Sequence, residues 1–284
     1  MAAVSVDPAK DGQPHDSLFS TDWRRRAMSP MAQPLLFWLV GSRLSGFILF
    51  CPGFGSDEMP APRTFRALLI GWLTLSMLPS VGLPTGVFLG LPDLVVAVGC
   101  EFLLGLGAAL ALRIIFSAVR IGGTLIDSEL SFLAAEQFNP MISIQGGLFN
   151  RFLGLAALYY FWTLDYASLL LLGLHKSFQM VPLGALQIGL ENYDMLVRLG
   201  ANAFASGLII AAPIIAMMFF LNVSIAFLAK LVQGINVFYE SFTMRIIVGS
   251  TGVIFFLPLI LMTVRNEMAK MIPTFSAYFQ NASH

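Results

Sequence analysis

Between Ala203 and Ala229 the chain runs for 27 residues without a charged side chain. Coiled as an α-helix, that stretch is about 40 Å long at 1.5 Å per residue, more than the roughly 30 Å of hydrocarbon in a bilayer, so it can span with tilt. A second run, Ile246 to Val264, has 19 uncharged residues and is also long enough, with Gly249, Gly252 and Pro258 predicting a bend near its centre. The whole chain of 284 residues is 57% hydrophobic and 11% charged, with a mean hydropathy of +0.80. A soluble domain carries about 25% charged residues. The composition is that of a membrane protein.

The remaining apolar runs are interrupted by charge. Arg43 sits inside Leu35 to Cys51, Glu101 and Arg113 inside Leu94 to Phe116, and Arg151 and Asp165 inside Leu148 to Leu174. Each such group at a bilayer centre costs on the order of 2.5 to 3.5 kcal/mol. These side chains are therefore expected to face protein or a water path, which implies partners or a pore. The run Ala67 to Leu91 is uncharged but broken by Pro79, Gly82, Pro84 and Gly86; it predicts a helix of about fourteen residues followed by a turn. The stretch Ser117 to Pro140 is the most polar interior segment, with Arg120, Asp127, Glu129 and Glu136 and a glycine pair.

Several function classes fall away. Sixteen basic and sixteen acidic residues cancel, leaving neither the net field nor the aromatic-interleaved basic patch of a nucleic-acid binder. Cys51 and Cys100 lack CxxC or Cys/His spacing and read as packed thiols. His15, His175 and His284 cannot form a metal cluster by spacing, so no metal and no cofactor is expected. The sequence contains no GxSxG, HExxH or GxxxxGK[ST] motif, as hydrolases, zinc enzymes and nucleotide pumps respectively would need. Glu101, Asp127, Glu129 and Asp165 are formally candidates for a proton relay. Arg113, Arg120 and Arg151 offer them structural ion-pair partners instead, Arg120 with Asp127 in particular. Basic residues precede the first apolar run at Arg24, Arg25 and Arg26 and follow it at Arg63 and Arg66, so the positive-inside rule assigns no orientation. Gly105, Ala108, Ala109 and Leu112 fall at i, i+3, i+4 and i+7, a small-residue face that another helix can approach closely. Residues 1–30 read as a polar disordered tail without a signal-peptide core, 31–272 as one helical domain, and 273–284 as a C-terminal tail.

Four stretches coincide in order and spacing with one family. They are "CPGFGSDEMPAPRTFRALLIGWLTLSMLPS", with Pro52, Pro62, Arg63, Arg66 and Pro79; "EFLLGLGAALALRIIFSAVRIGGTLIDSELSF", with Glu101, Gly105, Arg120, Gly123 and Leu130-Ser131-Phe132; "LHKSFQMVPLG"; and "LNVSIAFLAKLVQGINVFYESFTMRIIVG", with Asn236, Phe238, Phe242, Arg245 and Gly249. Over about Leu35 to Ile272 the chain resembles the FliR/SctT family of type III export-gate proteins. It departs from the pattern at Val232-Gln233-Gly234, where the family has a proline, at Leu164-Asp165-Tyr166, and at Glu240, where the family is apolar.

The resemblance implies an all-α fold of broken helical hairpins, about six to eight long helices built into a helical heteromeric channel. It implies a non-enzymatic role: unfolded export substrates pass through the channel across the bacterial inner membrane within the secretion-system basal body. Partners implied are P-type and Q-type gate subunits, the substrate-specificity switch subunit, the large cytoplasmic-ring export component and membrane lipid. In the family, the segment after the A-x-R-x-x-G helix projects into the channel as a plug. By position that is Leu130 to Pro140, with Leu130, Phe132, Leu133 and Phe138 the gating side chains. Gly105, Gly123 and Gly249 are expected at helix contacts, and Glu101, Arg113, Arg120, Asp127, Arg151, Asp165 and Arg245 in structural polar contacts. Flagellar use is slightly favoured over the injectisome; a stand-alone secondary transporter is a further alternative, although the two related halves it calls for are not visible.

Overall fold

The computed structural model describes residues 32–55, 62–81, 91–132, 147–184, 190–231 and 237–282. Every regular element among them is helical. In chain order these are α1 (Ala32–Phe50), α2 (Pro52–Gly55), α3 (Arg63–Met77) with a 3₁₀ turn at Leu78–Ser80, α4 (Leu91–Glu129), α5 (Leu148–Thr163), α6 (Tyr166–Met180), α7 (Leu190–Leu231), α8 (Val237–Ala269) and α9 (Met271–Asn281). Seven have fifteen or more residues, within the range the resemblance implied. Leu133, Phe138, Gln233 and the N-terminal tail lie outside the described residues.

Helix α4 is the axis of the fold, packing against α1, α2, α5, α7, α8 and α9. Its 39 residues extend about 58 Å and the 42 of α7 about 63 Å, at 1.5 Å per residue. Both are about twice the thickness of a bilayer core. The sequence places the polar segment Ser117 to Glu129 after an apolar run; the structure makes both one uninterrupted helix. Helix α8 likewise continues through Pro258, where the sequence predicts a bend.

Three helical stretches are long and apolar enough to cross a membrane: Pro92–Glu129, Asn192–Leu231 and Ser241–Asn281. A fourth candidate is the pair α5 and α6, bent by 64° at a short break. The break falls at Asp165, whose φ of 54° lies in the left-handed region. Helix α3 ends at Met77, just ahead of Pro79, as the breakers there predicted, with the 3₁₀ turn taking over.

The C-terminal tail expected from residue 273 is a correction. Residues there form α9, whose Met271, Phe275, Tyr278 and Phe279 are buried. The apolar positions recur at helical spacing, and the helix inserts against α4 and α6. Phe275 stacks edge-on with Phe47 of α1 at 5.5 Å and with Phe279 at 5.1 Å. The core lies where α1, α4, α6 and α9 meet. The outer faces of α7 and α8, by contrast, leave Phe219, Phe220, Phe227, Ile254 and Phe255 exposed.

Candidate functional site

Two polar clusters interrupt this apolar interior, one near each end of α4. The first is built on Arg43, which is fully buried. It lies on the face of α1 that crosses α4 most closely. A Cβ on Gly105 would collide with the Arg43 carbonyl oxygen, so only glycine permits the crossing at that distance. The Arg43 guanidinium Nε donates to Glu101 Oε2 at 2.6 Å. Its Nη1 donates to the Ser177 carbonyl at 3.2 Å and its Nη2 to the Val181 carbonyl at 3.0 Å. Its planar face lies over the Phe178 ring, 4.6 Å from the centroid. The other Glu101 oxygen accepts the Gly184 backbone N–H at 3.0 Å.

This arrangement has an electrostatic reason beyond the pair itself. Ser177 and Val181 lie at the C-terminal end of α6, where the helix dipole is negative; the Ser177 carbonyl already accepts the Val181 N–H at 2.9 Å and takes the guanidinium as a second donor. A guanidinium placed there satisfies carbonyls and charge at once, while its fork geometry leaves the carboxylate well aligned. Three elements distant in sequence, α1, α4 and the end of α6, are tied at one point.

The second cluster joins the C-terminal end of α4 to the start of α5. The buried Asp127 carboxylate accepts the backbone N–H of Phe149 at 2.9 Å and of Asn150 at 2.8 Å. Those are first-turn donors of α5, which opens behind Gly147, a residue without a capping side chain. Asp127 therefore caps a helix that begins 21 residues later in the sequence, and its charge complements that helix's positive end. Gly147 has φ 83° and ψ 153°, a region open essentially to glycine, and a Cβ there would run into the Asp127 carboxylate. Asn150 completes the cluster. Its Nδ2 donates to Thr124 Oγ1 at 2.6 Å and to the Arg120 carbonyl at 3.2 Å, and its Oδ1 accepts from Arg120 Nε at 3.4 Å.

Residues 133–146 connect the two sides of this second cluster, so Asp127 holds together the roots of that segment. Leu130, fully buried, packs where a Cβ on Gly249 of α8 would meet it; it anchors the root. Ser131 turns the chain with φ 63°. Phe132 is half-buried against the Phe149 ring, 6.0 Å away. A Cβ on Gly123 would meet the backbone of Asn150, which puts α4 and α5 in direct backbone contact.

The sequence-derived site residues thus separate. Glu101 finds its cation in Arg43, not in Arg113, Arg120 or Arg151. Arg113 is twelve residues along the same helix, about 18 Å away by helical rise, whereas Arg43 arrives from a crossing helix. Arg120 and Asp127 are brought to one cluster through Asn150. Arg113, Arg151 and Asp165 are exposed, and Arg245 has a buried Nε without a hydrogen-bond partner. Cys51 and Cys100 are free thiols. Among the described residues no three His, Cys, Asp or Glu side chains form a group able to hold a metal.

Two contributors escaped sequence reasoning. Arg43 stood out as a charge in an apolar run, yet nothing local named its partner 58 positions away. Asn150 carried a weaker signal, an amide in the first turn of an apolar helix.

The described residues make a helical, membrane-capable protein whose Arg43, Glu101 and Asp127 tie its own helices together. The family model for bacterial export proteins, family 1, matches residues 35–271, and the chain belongs to that family. It is 28% identical over 240 residues to the flagellar biosynthetic protein FliR of Aquifex aeolicus, covering 84% of this chain and 92% of the relative. It is 27% identical over 245 residues to the protein of the same name from Bacillus subtilis, with the same coverage. The FliR of Escherichia coli is 24% identical over 227 residues, covering 80% of this chain and 85% of that protein.

Proposed function

We propose that this protein is a non-enzymatic subunit of the flagellar type III export gate, resident in the bacterial inner membrane within the basal body. The family match across nearly the whole helical region carries the reading, and the relatives' shared name favours flagellar use over the injectisome. The long α4 and α7 fit a subunit that stands partly outside the bilayer plane, where P-type and Q-type neighbours cover the exposed apolar faces. The switch subunit and the cytoplasmic-ring component complete the set of partners, and unfolded substrates pass in transit.

Gating in this reading is passive. Phe132, Leu133 and Phe138, on the segment rooted by Leu130 and clamped by Asp127, block water and ions at rest and yield to an incoming chain. The driving energy comes from elsewhere, since the sequence has no nucleotide-binding loop. Deleting residues 130–140 from the protein co-expressed with its gate partners should make the inner membrane permeable to ions, measured as conductance in patched spheroplasts. Unchanged conductance in an assembled gate would defeat the gating role. Failure of the chain to co-purify with P-type and Q-type subunits would defeat the export-gate reading itself.

A further inference from the structure

The outer side of α1, α3 and α4 carries a groove of about 690 Å³. Trp38, Ile70, Val95 and Phe102 form much of its apolar wall. Gly71 and Gly99 also line it, and a Cβ added to either would meet nothing within 4 Å. The groove is therefore open space along its glycine-lined parts.

On α3 the lining residues Ala67 and Ile70 lie one turn after Arg63 and Arg66, so the same helix face leads from the groove to two cations. Among the described residues neither guanidinium has a hydrogen-bond or ion-pair partner, and Arg66 Nε is itself buried. Helix α3 opens behind Pro62 with no side-chain cap, so its positive end lies in the same place.

An apolar trough that ends at two unpaired cations is complementary to an acyl chain carrying an anionic headgroup. A zwitterionic lipid would fill the trough but bring a phosphate whose charge its own ammonium offsets, leaving the two guanidinium groups without net counter-charge. We propose that this groove is a binding site for one anionic phospholipid, its acyl chain running past Trp38 and the glycines and its phosphate held by Arg63 and Arg66. The proposal rests on the membrane residence argued above, which resistance of the protein to alkaline extraction from membranes tests separately.

The experiment uses the full chain assembled with its gate partners, with Trp23, Trp72 and Trp162 and every tryptophan of the partners changed to Phe so that Trp38 alone fluoresces. The complex is reconstituted in phosphatidylcholine vesicles containing a minor fraction of brominated phosphatidylglycerol or brominated phosphatidylcholine. Each cation near an anionic headgroup contributes roughly fivefold in affinity, so the glycerol lipid should quench Trp38 with an apparent affinity up to about thirtyfold higher. Arg63→Gln with Arg66→Gln should bring that preference close to one. Gly71→Leu, whose Cβ has open space and whose side chain extends into the groove, should remove the preference while the complex still assembles.

Equal quenching by both lipids in the parent overturns the proposal, as does a preference that survives the arginine changes. Trp38 shielded from both lipids overturns it too, because a protein neighbour then covers the groove. So does a preference that emerges only on Asp57→Asn with Glu58→Gln, which would give the arginines to those carboxylates.

Discussion

The two polar clusters on α4 handle buried charge in opposite ways. At Arg43 and Glu101 a full ion pair is sealed in the core, and each ion has additional partners. At Asp127 a buried carboxylate accepts two backbone N–H groups, and Asn150 extends the network to Thr124 and Arg120. The first depends on two charges that are each very costly alone. The second turns a carboxylate to the start of a helix, a smaller and more local stake. The difference assigns the clusters different structural tasks: one locks three distant elements, the other fixes the root of a single segment.

That contrast sets the order of expected effects. Arg43→Leu or Glu101→Leu alone should destabilise the protein by about 3 to 5 kcal/mol, because the surviving ion stays buried without its partner. The double change should recover most of the loss. Thermal melts of the detergent-solubilised complex measure both, and additive losses would show that the pair acts through something other than mutual charge compensation. Next comes Gly147→Ala, which forces a side chain into a glycine-only backbone region and against the Asp127 carboxylate; about 3 kcal/mol is expected.

Asp127→Ala removes two charge-assisted bonds to the first turn of α5 and should cost about 2 kcal/mol. Its distinguishing readout is hydrogen exchange, which should accelerate at the Phe149 and Asn150 amides and leave the Arg43 region unaltered. Uniform acceleration across both clusters would erase the distinction drawn between them. The smallest effect is a gain. Ser131 has φ 63°, so Ser131→Gly should relieve left-handed strain and stabilise by up to about 1 kcal/mol, provided the freer glycine does not offset it in the unfolded chain. A melt shifted upward checks it.

Much of the architecture was legible before any coordinates. Uninterrupted apolar runs at Ala203–Ala229 and Ile246–Val264 reported α7 and α8, because a helix that long needs no information beyond its own hydropathy. Pro79 stopped α3 where expected. What failed was local extrapolation across composition changes. Residues 273–284 were expected to be a tail, yet Phe275, Tyr278 and Phe279 are buried because they acquire a core to fill once α4 and α6 are present.

The sequence by itself determined that this chain is helical, membrane-capable and forced to cover its interior charges, since the cost of an uncompensated ion in an apolar medium holds for any fold. It also singled out Glu101, Arg120 and Asp127 as charges that needed answers. Only the tertiary structure decided what those answers were. Arg43 pairs with Glu101 because glycine at 105 lets two helices touch, and Asp127 caps α5 because the end of α4 lies beside that helix's first turn. Such partnerships depend on distances across space, and no periodicity along the chain encodes them.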